Sequence, residues 1–262
     1  MSAATANPNW TAFRTIIRRE VARIVRIWGQ TLVPPAITMT LYFLIFGKLI
    51  GSKIGDMGGF SYMDFIVPGL VMMSVIQNAY GNISSSFFGA KFGRHIEELL
   101  VAPLPNWVIL GGYVGGAVLR GFMVGAIVLA VAMLFTKVRV HDWAVTVSTV
   151  LLGAVIYSLA GFVNAVYAKK FDDNAIIATF ILTPLTYLGG VFYSVKLLPD
   201  WAEAATHANP IFYMVNAFRY GLLGTGATDV PLWSAYAVML GAVVALTWLG
   251  LWLLQRGVGL RS

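Results

Sequence analysis

From Pro231 to Leu254 the chain carries no charged side chain. At 1.5 Å per residue, such a run is long enough to cross the ~30 Å hydrocarbon core of a bilayer as a helix. Five more stretches have much the same character: Thr31–Ile50, Asp64–Phe88, Trp107–Phe135, Trp143–Ala168 and Ala175–Val195. With no water in the hydrocarbon, every backbone N–H and C=O must be paired within its own segment, which makes these runs helical. Composition agrees, at 58% hydrophobic and 11% charged, where soluble domains carry about 25% charge. The expected fold is an all-α polytopic membrane protein with six transmembrane helices, in one transmembrane domain over residues 1–262. No internal repeat relates the first three spans to the last three.

Several chemistries are disfavoured. There is no cysteine, hence no disulfide and no thiolate metal site. His95, His141 and His207 are far apart and form no ligand-spaced cluster. No H-E-x-x-H motif or carboxylate pair appears, and Ser84–Ser86 have no histidine at a suggestive spacing. No catalytic residue, metal site or bound cofactor is expected. The first 30 residues lack an apolar core before a small-residue cleavage site, so the N-terminus is expected to be retained.

Residues 10–28 have helical periodicity. Trp10, Phe13, Ile17, Val21, Ile24 and Trp28 fall on one face, and Arg19, Arg23 and Arg26 fall opposite. This pattern predicts an amphipathic interfacial helix lying in the headgroup plane. With the N-terminus inside, the inner segments hold eleven basic residues: Arg14, Arg18, Arg19, Arg23, Arg26, Lys91, Arg94, Lys169, Lys170, Arg256 and Arg261. The outer segments hold six: Lys48, Lys53, Lys137, Arg139, Lys196 and Arg219. The asymmetry predicts a multi-pass protein with both termini cytoplasmic. The excess positive charge faces anionic lipid, and no nucleic-acid partner is expected.

"RHIEELLVAPLP" (Arg94–Pro105) interrupts this apolar chain on the cytoplasmic side. Phe92, Ile96, Leu99 and Leu100 share one helical face, and Arg94, Glu97 and Glu98 share the other. Pro103 and Pro105 end the helix, since proline lacks the donor and clashes with the preceding turn. A stiff helix over residues 92–104 suits a lever that a partner grips, or a passive interfacial helix.

On the other side, residues 197–224 are apolar yet broken by Pro199, Pro210 and Gly221. Two short helices are expected, Asp200–Ala208 and Ile211–Leu223, dipping into the membrane, with Asn209 as a cap. Within the spans, Gln77, Asn78, Asn82 and Ser84–Ser86 make the second unusually polar, and such residues rarely face lipid. Arg120 lies deep in the third span and is expected to face protein, a watery cavity or an anionic substrate group. Glycines four apart, Gly111/Gly115, Gly112/Gly116 and Gly121/Gly125, permit close helix packing.

"FGAKFGRHIEELLVAPLP" (Phe88–Pro105), "TPLTYLGGVFYSVKLLP" (Thr183–Pro199) and "ANPIFYMVNAFRYGLLG" (Ala208–Gly224) resemble the membrane subunits of ABC type-2 exporters, and among these the bacterial inner-membrane transport permeases of the YadH type. The similarity covers nearly the whole chain. It implies a coupling helix between spans two and three and re-entrant outer helices between spans five and six. It also implies a homodimer paired with two copies of a separate ATPase, which would bind the ATP and Mg. Arg94, Glu97, Glu98, Leu99 and Leu100 fall in the implied coupling segment. Gln77, Asn78, Asn82 and Arg120, with Tyr187, Phe192, Tyr213 and Arg219 of the quoted motifs, are the expected path or gate residues. The function implied is export of a lipid, glycan, drug or similar substrate across the inner membrane. The chain has no G-x-x-x-x-G-K-[ST] phosphate loop; the nearest fragment, "FGKLIG", lacks the hydroxyl residue and the earlier glycine. A motor-independent channel or ion-coupled carrier is the alternative, and it would need intramembrane acids that the deep spans lack.

Overall fold

The protein is described by a computed structural model over residues 7–259, with all side chains but that of Leu100. Helix α1 (Pro8–Arg26) leads through α2 (Trp28–Thr31) into α3 (Val33–Tyr42), a π-helical stretch (Phe43–Ile50) and α4 (Gly51–Ile54). A hairpin of β1 (Asp56–Met57) and β2 (Phe60–Ser61) precedes α5 (Tyr62–Phe92). Then come α6 (His95–Val101), α7 (Asn106–Ala132), α8 (Trp143–Tyr167) and α9 (Phe171–Ile177). A second π-helical stretch (Ala178–Leu182) joins α9 to α10 (Thr183–Tyr187). The chain ends with α11 (Asp200–His207), α12 (Pro210–Leu223) and α13 (Leu232–Arg256).

The expectation of six transmembrane helices is corrected. Among the described residues, four helices are long and apolar enough to cross a membrane: Trp28–Ile54, Asn106–Ala132, Trp143–Tyr167 and Leu232–Arg256. Two of the expected spans fail for different reasons. α5 has the length, but Gln77, Asn78, Asn82 and Ser84–Ser86 dilute its apolar content. It is the core of the bundle, buried along most of its length between α7 and α8. The expected fifth span is too short: α9, the π-helical stretch and α10 run on without a gap from Phe171 to Tyr187, 7, 5 and 5 residues, or 17 in all, and the chain then turns away at Gly190 with φ 72°.

Among the described residues the fold is all-α apart from the β1–β2 hairpin, whose strands are two residues each. Asp56 pairs with Ser61 and Met57 with Phe60, around Gly58 and Gly59 at φ 62° and 82°. Positive φ at both central residues is the turn that matches the twist of paired strands, and it needs glycine-like freedom. The expected outer helices exist as α11 and α12. Asn209 Oδ1 accepts from the Ile211 N–H while its Nδ2 donates to the Leu185 carbonyl, at 3.0 and 2.6 Å. α12 is buried against α5, α8 and α13.

The glycines of α7 receive α1. Cβ atoms built on Gly112 and Gly116 would lie 2.7 Å from Ile16 and 2.5 Å from Glu20, and Gly111 and Gly115 face Phe13 and Ile17. The helix thus also packs on the bundle. The buried face of α1 is Ile16, Glu20 and Ile24, offset from the one that Trp10 to Trp28 defines. Trp10 and Trp28 stay exposed at 60% and 61%.

Candidate functional site

Two features stand out, a short helix at one end of the bundle and a polar cleft along its side. The short helix is α6. The chain leaves α5 through Gly93 and Arg94, and Arg94 has φ 58°, the only non-glycine with positive φ among the described residues. The turn places Phe92 on α5 rather than on α6. Ile96 is buried, while Arg94, Glu97 and Glu98 are exposed and Val101 is 87% exposed. Leu99 is half-buried and faces a cavity of about 450 Å³ shared with Thr11, Thr15 and Ile16 of α1 and with Leu104. The Leu100 side chain lies outside the described residues.

Beside α6 the ends of α5 and α8 are tied together. Lys91 Nζ donates to the carbonyls of Val166 and Ala168 at 2.6 and 2.7 Å, and to that of Ala165 at 3.3 Å. Burial, and after it the charge of Lys169, pushes the Lys91 ammonium below its usual range. Phe92 and Phe171 lie 5.0 Å apart, and Phe88 is also 5.0 Å from Phe171, so three rings join α5 to α9. Asp173 caps α9 by accepting from the Lys169 and Lys170 N–H groups, which hold its carboxyl below the usual carboxylate range.

The polar cleft lies between the Trp28–Tyr42 segment, α5 and α7. Gln30, Thr38, Ser74, Gln77, Asn78 and Arg120 line a cavity of about 270 Å³ together with Pro34, Pro35 and Met39. Asn78 Nδ2 donates to the Ser74 carbonyl at 3.0 Å, which turns its Oδ1 toward Arg120 Nη2 at 3.1 Å. One helical turn along α5, Asn82 Oδ1 accepts from Arg23 Nη2 at 2.8 Å. Arg23 also donates to Glu20 at 2.8 Å, and Glu20 accepts from Ser86 at 2.7 Å. Gln77, Asn78 and Arg120 therefore share one cavity, and Asn82 continues the same seam.

The other expected path residues lie elsewhere. Tyr187 and Phe192 stack at 5.8 Å, and Tyr187 meets the Tyr42 hydroxyl at 2.8 Å. Phe46 completes this aromatic group, 4.8 Å from Phe192. The Tyr213 hydroxyl donates to the His207 carbonyl and links α12 to α11. Arg219 is fully buried, with Nη2 donating to the Gly190 carbonyl at 2.8 Å and its guanidinium 3.9 Å above the Phe65 ring. That arrangement locks α12 to the core and leaves Arg219 Nε and Nη1 buried without a partner.

Sequence reasoning missed Glu20 and Arg23 as members of the seam. The available signal was an acid and a base three apart on α1, together with glycines four apart on the helix that receives them.

This bundle, with a short acidic helix at one end, is that of a transport permease, and the chain belongs to the ABC-2 type transporter family, whose model matches residues 11–223. It is the membrane permease subunit of an ABC-type transport system, multi-pass in the bacterial inner membrane. It is 58% identical over 253 residues to the inner membrane transport permease YadH of Escherichia coli K12, covering 97% of this chain and 98% of that protein. The Shigella flexneri permease of the same name matches equally. Nodulation protein J of Sinorhizobium fredii is more distant, 29% identical over 233 residues, with 87% of this chain and 86% of the relative covered. The family implies pairing with an ATPase subunit. Among the described residues, no group of three or more His, Asp or Glu side chains is placed to hold a metal.

Proposed function

We propose that this permease works as a homodimer in an exporter powered by two copies of a separate ATPase, with both its termini on the cytoplasmic side. The observation that carries the reading is α6. It exposes Glu97, Glu98 and Val101 at a bundle end while Ile96 anchors it to the core. A helix gripped on that face transmits motion directly to α5 and α7, the two helices it joins. The ring contact between Phe92 and Phe171 carries the same motion to α9. ATP and Mg bind on the partner. The seam of Gln77, Asn78, Asn82 and Arg120 serves as part of the path, and the aromatic group around Tyr187 and Phe192 serves as part of its gate.

The test is co-expression with the ATPase, comparing wild type with the double variant Glu97→Arg/Glu98→Arg. Charge reversal on this exposed face leaves the fold intact and abolishes co-purification and solute-stimulated ATP hydrolysis. A folded double variant that still pairs with the ATPase and still transports places the grip elsewhere.

A further inference from the structure

Asn78 and Asn82, one turn apart on α5, each hold one guanidinium through a side-chain carbonyl oxygen: Arg120 on the first rung, Arg23 on the second. The rungs differ in charge. Arg23 is neutralised by Glu20 at 2.8 Å. Among the described residues, no carboxylate lies within salt-bridge distance of Arg120. Among the described residues its guanidinium has one hydrogen bond, to Asn78, and its Nε is buried without a partner. A half-buried arginine with spare donors and no counter-ion, facing a cavity inside a membrane protein, is an anion site by its chemistry.

The rest of the cavity narrows the ligand. Its volume of about 270 Å³ is below the ~300–1,000 Å³ of pockets that enclose a whole drug-sized molecule. One wall is polar, Ser74, Gln77, Asn78 and Arg120, and the facing wall carries the apolar side, Pro34, Pro35 and Met39, interleaved with Gln30, Thr31 and Thr38. On the same segment as the apolar side, Ile37 and Leu41 are 57% and 52% exposed. A head group fits inside, and a hydrocarbon chain attached to it lies along that exposed apolar surface.

We infer that this cleft binds an anionic amphiphile, with the phosphate or carboxylate head at Arg120 and Asn78 and the hydrocarbon part along the Pro34–Leu41 surface. The inference rests on the assignment of this cleft to the transport path. Its test uses binding alone, so it stands or falls independently of the ATPase grip at α6.

The test is equilibrium binding to the purified permease–ATPase complex in neutral detergent. The probes are dioctanoyl phosphatidylglycerol, dioctanoyl phosphatidylcholine and glycerol 1-phosphate. The wild type prefers the anionic lipid, and Arg120→Gln lowers affinity for it about tenfold, the worth of one charge-assisted contact, while the zwitterionic lipid is unaffected. Arg120→Lys recovers part of the loss. Asn78→Asp supplies the missing counter-ion without removing the guanidinium and abolishes the preference in the same way, which keeps the test decisive if Arg120→Gln fails to fold. Equal binding of the two lipids by the wild type overturns the inference, as does a preference that neither variant changes. Glycerol 1-phosphate binding as tightly as the anionic lipid, with the same dependence on Arg120, overturns the amphiphile and leaves a site for free anions.

Discussion

Replacing Gly116 with alanine tests how α1 is held. The added Cβ would sit 2.5 Å from Glu20 Cβ and 2.9 Å from its Cγ. Carbon atoms rest at about 3.5–4.0 Å, so roughly 1 Å of separation must be found. Glu20 Cβ is bonded directly to the backbone, and no rotamer change moves it away. The helix itself must retreat. A retreat of that size takes Ser86–Glu20 and Arg23–Asn82, now 2.7 and 2.8 Å, past the ~3.2 Å reach of a hydrogen bond. Overpacking costs about 1–3 kcal/mol, two lost hydrogen bonds to charged groups about 1.5–3 each, and alanine returns up to ~1 in helix propensity, for a net loss of about 3–8 kcal/mol. At roughly 2–4 °C per kcal/mol, thermal size-exclusion chromatography of the detergent-solubilised protein should show a melting temperature about 6–30 °C lower. Gly241→Ala is the matched control, because a Cβ there meets nothing within 4 Å. If Gly116→Ala melts with that control, the close docking of α1 on α7 is refuted.

Three further outcomes follow from the same geometry. Arg219→Met loses a hydrogen bond to Gly190 and a buried ring contact with Phe65, and should destabilise by roughly 3–5 kcal/mol with unchanged solute preference in the protein that survives; a change in preference without destabilisation would contradict its placement. The depressed pKa of Asp173 makes its cap on α9 fully effective above the unfolded value of 3.8 and progressively lost as pH falls through the lower folded value. Hydrogen exchange at the Lys169 and Lys170 amides should therefore speed up on acidification beyond its intrinsic pH dependence, and should lose that excess in Asp173→Asn. Phe171→Ala breaks the ring group at the α6 end; ATPase pairing should persist while transport per ATP falls, and unchanged transport stoichiometry would remove this group from the coupling route.

Much of this was legible because short-range chemistry decides it. Asn209 before Pro210 announces the start of α12, since a side-chain acceptor and a residue without an N–H together satisfy a first turn. Pro103 and Pro105 announce the end of α6. The gathering of Gln77, Asn78 and Arg120 was legible in part, because polar groups inside a membrane must find one another or water. What escaped depends on long-range partners. Periodicity marks α1 as amphipathic, but only the glycine groove of α7 selects Ile16 and Glu20 over Val21 for its buried face. α5 counts as a span by length, and its polar seam shows that it is meant for protein neighbours rather than for lipid. Arg219 looked like a free outer charge until the fold supplied the Gly190 carbonyl and the Phe65 ring. The hairpin was legible in principle from its two adjacent glycines.

The docking of α1 also has a consequence for how the chain is made. Glu20 lies roughly 100 residues ahead of Gly116, and at ~5–20 residues per second the ribosome needs about 5–20 s to cover that distance. During that interval the groove that will hold Glu20 and Arg23 does not yet exist. The nascent helix must wait somewhere that tolerates its charges, and the headgroup layer does so, with Trp10 and Trp28 at its two ends as moorings. The basic amphipathic pattern of residues 10–28 thus suits two successive environments, a lipid surface during synthesis and a glycine groove in the finished protein.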